Sequence, residues 1–241
     1  MLKVFVLLLS MVKISYPFRY MIILRHGESL WNKNELYTGW ADVPLTKLGM
    51  KEAKNAAKLI KQYGVLPTIS YSSELERCID SASIIVKELN LEKVILQSKN
   101  WRLNERHYGK LTGYNRNNIK WKGEYFDLPP NDLDSLNNYK IYNEITYVPE
   151  YGESHYMTSL RVEPIYKIFE HMVKVKHVPM VITHKNTARA LMKHIEKFKE
   201  EDINNIEVPN ATPIIYKFDE QMKLLDKIIL YDDDLPQYSF D

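Results

Sequence analysis

Two short apolar runs that each end in a histidine constrain the fold of this chain more than any other feature. Tyr20 to Leu24 leads through Arg25 into His26, and Val178 to Thr183 leads directly into His184. Short apolar runs rich in Ile and Val have the pattern of buried strands. Other elements alternate around them. Thr46 is placed to cap a helix to about Tyr63, with Ala53, Ala56, Ala57 and Ile60 on one face and Gly64 closing it. Ile69 to Tyr71 reads as a strand, Ser72 and Ser73 as N-caps for a helix to about Leu89, and Val94 to Leu96 as a third strand. A helix from near Ser154 to Val175 precedes the second histidine strand. Another follows from Asn186 to about Lys197, and Pro213 to Phe218 and Leu224 to Leu230 close the chain as strands. This alternation predicts a three-layer α/β/α fold with a mostly parallel central sheet. Ligands bind beyond the carboxyl ends of such strands. If the two histidine strands are neighbours, both imidazoles converge there.

Of the 241 residues, 45% are hydrophobic and 27% charged, which suits a large α/β domain. With 33 basic against 31 acidic residues the net charge is only +2, so the bulk charge gives no nucleic-acid footprint. Cys78 is the single cysteine, which rules out an internal disulfide and fits a reducing compartment, the cytoplasm. It reads as a small buried hydrophobe. Residues 1–19 read as an N-terminal extension. Its run Val4 to Val12 has the length of a signal-peptide core and is too short to span a bilayer, and no small-residue cleavage site follows. Targeting by residues 1–18 stays open. The domain is expected over 20–231, with an irregular insertion at 101–150 of the kind that is often functional, and a short tail at 232–241. The folded domain is expected to engage no membrane. The tyrosines at 139, 142, 147 and 151 read as loop packing, Lys193 and His194 as opposite sides of a helix with one exposed, and Glu196 to Asp202 as a solvated face.

Around His26 stand residues suited to an anion. Arg25 is adjacent, Gly27 lets backbone approach a ligand, Ser29 and Asn32 offer short polar groups, and Thr38-Gly39 forms a second polar turn. The run Leu24-Arg25-His26-Gly27-Glu28-Ser29, with Thr38-Gly39-Trp40 and Ser73-Glu74-Leu75-Glu76-Arg77, resembles the cofactor-dependent phosphoglycerate mutases of the histidine phosphatase superfamily. The likeness is strongest in Asn104-Glu105-Arg106-His107-Tyr108-Gly109, and continues through Thr183-His184-Lys185-Asn186 and Val208-Pro209-Asn210-Ala211-Thr212-Pro213.

The resemblance implies the following roles. His26 is the nucleophile that carries the phosphoryl group, with Arg25, Arg77 and His184 as the clamp and Asn32 as an added donor. Glu105 is the general acid and base. Arg106, Tyr108, Thr38 and Gly39 hold the substrate's carboxylate and phosphate, with Ser29, Arg116, Lys122, Lys185 and Asn186 as further contacts. The cofactor is 2,3-bisphosphoglycerate as phosphoryl primer, no metal is required, and the partner is a small phosphorylated substrate. A homodimer or homotetramer is common among similar proteins. The clustered cations are expected to depress the His26 pKa and keep the ring neutral.

Several positions depart from the family pattern. Lys185 stands where glycine is usual, which demands either a negative φ or absorbed strain. Lys122-Gly123 replaces an arginine pair, Arg116 replaces a lysine, the insertion after Gly113 is short, and the end at Asp241 lacks the lysine-bearing tail. Three functions follow: a mutase interconverting 3- and 2-phosphoglycerate, a phosphatase passing the same phosphoryl group to water, or a binding relative with a degraded pocket. Retention of His26, Arg77, Glu105 and His184 argues against the third. The complete Asn104–Gly109 run favours the mutase, whereas Lys185, Gly123 and the short tail favour the phosphatase.

Overall fold

β1 (Arg19–Arg25) lies at the switch point of a six-stranded sheet, between a parallel and an antiparallel neighbour. The computed structural model describes residues 18–93, 95–133 and 151–231. After β1 come the short helix α1 (Leu30–Lys33), α2 (Lys47–Tyr63), β2 (Ile69–Ser72), α3 (Glu76–Glu88) and β3 (Leu96–Lys99). Then follow α4 (His155–Lys174), β4 (Pro179–Thr183), α5 (Lys185–Glu196), β5 (Ile214–Phe218) and β6 (Leu224–Ile229). The strand order is β3-β2-β4-β1-β5-β6; the first four run parallel and the last two pair antiparallel.

The pleat of β1 divides the core. Ile22 and Leu24 face α2 and α3, packing with Ala53, Ala56, Ile60, Ala82 and Ile85. Met21 and Ile23 face α4 and α5, packing with Val162, Phe169, Leu191 and Met192. Alternate side chains of a strand point to opposite faces, so a sheet buried on both sides reads as a continuous apolar run. The register pairs Arg25 with Thr183, and the His26 amide donates to the Thr183 carbonyl at 2.9 Å. The two histidines are thus neighbours at one sheet edge.

Local signals set most helix ends. Thr46 accepts from the Gly49 amide at 3.0 Å, and Gly64 ends α2 at φ 84°. Ser154 caps α4 through the Met157 amide. The start of α3 differs from expectation. Its N-cap is Leu75, without a side-chain bond, because the Ser73 hydroxyl is engaged with His184 and the Leu75 amide. β3 begins at Leu96, later than the run Val94 to Leu96, and Val94 lies outside the described residues. In the expected insertion, 3-10 turns occupy Trp101–Leu103, Gly109–Leu111 and Arg116–Asn118. The expected apolar run 4–12, the tyrosines 139, 142 and 147, and the tail 232–241 also lie outside the described residues. Neither Lys193 nor His194 is exposed: Lys193 donates to the Phe198 carbonyl at 2.9 Å, and His194 stacks on Tyr166. Glu196 is not on a solvated face either, since Tyr216 and Lys227 both bond to it. Among the described residues no helix is long and apolar enough to cross a membrane.

Candidate active site

Gly27 makes the turn out of β1 possible. A Cβ there would meet the Gly49 carbonyl oxygen at 2.2 Å, so the loop after β1 rests directly on the backbone of α2. The turn leaves His26 buried, with Nδ1 2.6 Å from the Gly27 carbonyl oxygen. A carbonyl can only accept, so Nδ1 carries the proton and Nε2 keeps its lone pair. Arg77 Nε donates to that Nε2 at 3.3 Å, while its Nη1 and Nη2 are fixed by the carbonyls of Ala41 and Gly39 at 2.8 and 2.9 Å. The His26 pKa is held well below the ordinary imidazole value, first by burial, then by Arg77 and Arg25. The neutral ring was expected from the cations; desolvation is the larger cause.

His26 faces a cavity of about 180 Å³. Seven Arg or Lys side chains (Arg25, Arg77, Arg106, Arg116, Lys122, Lys185 and Arg189) and one carboxylate, Glu105, line it. Burial brings the Arg25 guanidinium down to about 10. The Nε atoms of Arg25 and Arg106 are buried without a hydrogen-bond partner among the described residues. Unpaired donors at buried cations suit a multiply charged oxyanion. The Arg106 guanidinium lies over Tyr108 and Trp121, 5.1 and 4.7 Å from their ring centroids.

Glu105 is positioned from three sides. Its Oε1 accepts from the amides of Arg106 at 2.8 Å and Asn186 at 3.2 Å, the latter in the first turn of α5. Its carbonyl accepts from Trp40 Nε1 at 2.5 Å and from Arg161 Nη2 at 3.2 Å. Arg161 in turn forms a buried pair with Glu153, with Nε and Nη2 2.6 and 2.8 Å from the two carboxylate oxygens. Asn186 Nδ2 donates to the Tyr108 hydroxyl at 2.7 Å.

The structure brings Arg25, His26, Asn32, Thr38, Arg77, Glu105, Arg106, Tyr108, Arg116, Lys122, Lys185 and Asn186 to the cavity wall. Three expected residues stand behind it. Ser29 caps α1 and bonds Asn32 Oδ1 at 2.9 Å. The carbonyl of Gly39 holds Arg77. His184 packs edge-on against His26, centroids 4.9 Å apart, and its Nε2 meets Ser73 Oγ at 2.9 Å and Cys78 Sγ at 3.3 Å. His184 therefore supports the His26 ring and does not line the cavity. Cys78 is buried as expected, and burial pushes its thiol up to about 12.

Lys185 opens α5 with helical backbone, so the substitution brings no left-handed strain. Gly123 has φ 59°, and a Cβ would lie 3.1 Å from Arg106 Nη2; what it offers is a carbonyl, which accepts from Asn204 Nδ2 at 3.3 Å. Arg189, Tyr37, Trp121 and Asn204 also line the cavity and were not anticipated. Arg189 lies one turn beyond Lys185 and Asn186, so helical spacing alone could have placed it on their face.

A neutral histidine buried behind a cation-lined cavity at the carboxyl edge of a three-layer α/β sheet defines a class: enzymes that take up phosphoryl groups on histidine. Known proteins agree. Residues 21–229 match the histidine phosphatase superfamily (branch 1). The 2,3-bisphosphoglycerate-dependent phosphoglycerate mutase of Blochmanniella floridana is 37% identical over 218 residues, 84% of this chain and 94% of that protein. The same-named protein of Pasteurella multocida (strain Pm70) is 37% identical over 229 residues, 87% of this chain and 99% of that one. In fold, a putative alpha-ribazole-5'-P phosphatase from Escherichia coli aligns with TM-score 0.68 at 19% identity, covering 89% of this chain and 96% of its own. A mycobacterial glucosyl-3-phosphoglycerate phosphatase aligns with TM-score 0.65 at 18% identity, covering 88% and 97%. The chain belongs to the histidine phosphatase superfamily, and within it to the 2,3-bisphosphoglycerate-dependent phosphoglycerate mutase family.

Proposed function

We propose that this chain is a phosphoglycerate mutase that interconverts 3-phosphoglycerate and 2-phosphoglycerate through a phosphohistidine at His26. The observation that carries the reading is the His26 ring. Its Nδ1 proton is committed to the Gly27 carbonyl, and its Nε2 lone pair stands beside Arg77 at the cation-lined cavity. An imidazole must be unprotonated at the attacking nitrogen to reach phosphorus, and burial keeps this one so.

His26 Nε2 forms the bond to phosphorus as the ester P–O bond breaks. Arg25 and Arg77 meet the charge on the equatorial oxygens, which is where phosphoryl transfer needs neutralisation. Glu105 gives a proton to the departing glycerate oxygen and takes one from the attacking hydroxyl on return, so the group is restored after each cycle. Arg106, Arg116 and Tyr108 hold the carboxylate end, with Arg106 oriented by its two aromatic neighbours. His184 steadies the His26 ring from behind. The primer 2,3-bisphosphoglycerate supplies the first phosphoryl group; the unpaired Nε atoms of Arg25 and Arg106 fit a ligand of that charge. Water as acceptor makes the same intermediate a phosphatase. The Asn104–Gly109 run that secures Glu105 and Arg106 favours transfer to a second phosphoglycerate hydroxyl.

Phosphorus NMR of 3-phosphoglycerate with the purified protein, with and without primer, tests the reading. New 2-phosphoglycerate is the expected product; inorganic phosphate alone would replace the mutase by the phosphatase. His26→Ala is expected to lower turnover at least about a thousandfold, and full activity in that variant would refute the nucleophile.

A further inference from the structure

Lys185 stands at the rim of the cavity, on the first turn of α5. Three charged groups face it: Arg189 from its own helix, Arg25 from β1, and Glu207 from the loop before β5. Its Nζ lies 3.5 Å from Glu207 Oε2. Glu207 is not part of the cavity wall, and its side chain is 63% exposed. The pair is long and wet on one side, the geometry of an ion pair that contributes little and exchanges readily. The two guanidiniums repel the ammonium, and the single exposed carboxylate is its only counter-charge among these three groups. An oxyanion entering the cavity would relieve that repulsion more fully than Glu207 does.

We propose that Lys185 is an exchangeable anion receptor: Glu207 holds its ammonium in the free protein, and an entering phosphate ester takes it over. The proposal rests on the anion-binding part of the function proposed above and not on the mutase chemistry. Lysine suits such an exchange because its charge is a compact point on a flexible stem, whereas the guanidinium of Arg189 beside it is fixed by planar contacts. Arg189 shows the contrast, with Nε and Nη2 bonded to the carbonyls of Ile206 and Asn204 at 2.9 and 2.7 Å.

Ionisation gives the exchange a signature. Burial, then Arg189 and Arg25, bring the Lys185 ammonium down to about 8, and Glu207 acts in the opposite direction. The group is charged below that pH and neutral above it. Its share of anion binding is therefore present at neutral pH and lost as pH rises through about 8, while Arg25 stays charged to about 10.

Calorimetric titration with sulfate, whose charge is constant across this range, reads the effect without turnover. In the native protein sulfate affinity is expected to fall about tenfold between about pH 7 and pH 9, following the protonated fraction of one group. Lys185→Arg is expected to keep its affinity throughout. Lys185→Met is expected to bind more weakly at pH 7 and to show no alkaline fall. Glu207→Gln removes the competitor, so it is expected to bind sulfate about two- to fivefold tighter at pH 7 and to lose it at lower pH than the native protein. Unchanged affinity in Lys185→Met, or weaker binding in Glu207→Gln with native circular dichroism, overturns the proposal. A protein that shows this sulfate behaviour but makes no 2-phosphoglycerate would leave Lys185 as the receptor and remove the mutase reading.

Discussion

Replacing Arg161 by methionine tests whether the buried pair with Glu153 holds the catalytic segment in place. The side chain donates six times in the structure. Two bonds reach Glu153, and the others reach the carbonyls of Trp101 at 3.4 Å, Arg102 at 2.7 Å, Asn104 at 3.2 Å and Glu105 at 3.2 Å. Methionine matches the aliphatic length and removes every donor. Among the described residues Glu153 is then a buried carboxylate facing only the His107 amide at 3.0 Å, and breaking such a pair costs about 3–5 kcal/mol. The Asn104 and Glu105 carbonyls keep second donors in Thr187 and Trp40, so the further loss falls on Arg102 and adds about 1 kcal/mol. The sum, about 4–6 kcal/mol, is a large part of the ~5–15 kcal/mol that stabilises a typical domain. Urea unfolding measures it directly. In the folded fraction, a Glu105 freed to shift by about 1 Å should lower kcat about a hundredfold with a smaller change in KM. Adding Glu153→Leu removes the unpaired charge and should restore part of the stability while kcat stays low. If Arg161→Met unfolds within about 1 kcal/mol of the native protein and keeps its kcat, the pair neither supports the segment nor positions Glu105.

Two further perturbations probe the platform beneath His26 and the cost of burying neutral imidazoles. At Gly49 a Cβ would lie 2.1 Å from the Glu28 carbonyl oxygen; Gly49→Ala should therefore destabilise by about 1–3 kcal/mol in thermal or urea unfolding and lower activity by displacing the turn at His26, and a neutral effect would refute the close approach. His26, His107, His155 and His184 are all held below the ordinary imidazole value, His107 at about 4 and His155 at about 2, in each case chiefly by burial. The unfolded chain therefore binds more protons than the native one below about pH 6.5, and stability is full above that pH and falls as pH drops toward 4. The slope approaches about 1.4 kcal/mol per pH unit for each histidine. A urea midpoint constant from pH 7.5 to 5 would contradict the burial of neutral rings.

The amino-acid sequence by itself determined those features whose cause is local. Thr46, Gly64 and Ser154 mark helix ends because a cap bonds to an amide three residues away or supplies one left-handed residue. The strands ending at His26 and His184 were legible because a sheet covered on both faces needs uninterrupted apolar residues, and the parallel pairing of β1 with β4 then had to bring their ends together. The candidate residues around His26 stand in the contiguous stretches Arg25 to Asn32 and Asn104 to Tyr108, which is why a resemblance in sequence could mark them.

Only the tertiary structure decided which of them line the cavity and what holds them. Ser73 reads as a helix cap, but a histidine 111 residues away in sequence takes its hydroxyl. His184 reads as part of the phosphate clamp; in the structure its Nε2 meets Ser73 and Cys78 and its ring packs edge-on against His26. Arg161 and Asn204 carry no local signal of function; their partners lie on other elements, so their contacts exist only once α4 and the 101–123 segment are packed together. Periodicity fixes which way a side chain points from its own element. What it meets there depends on chain brought back from far away.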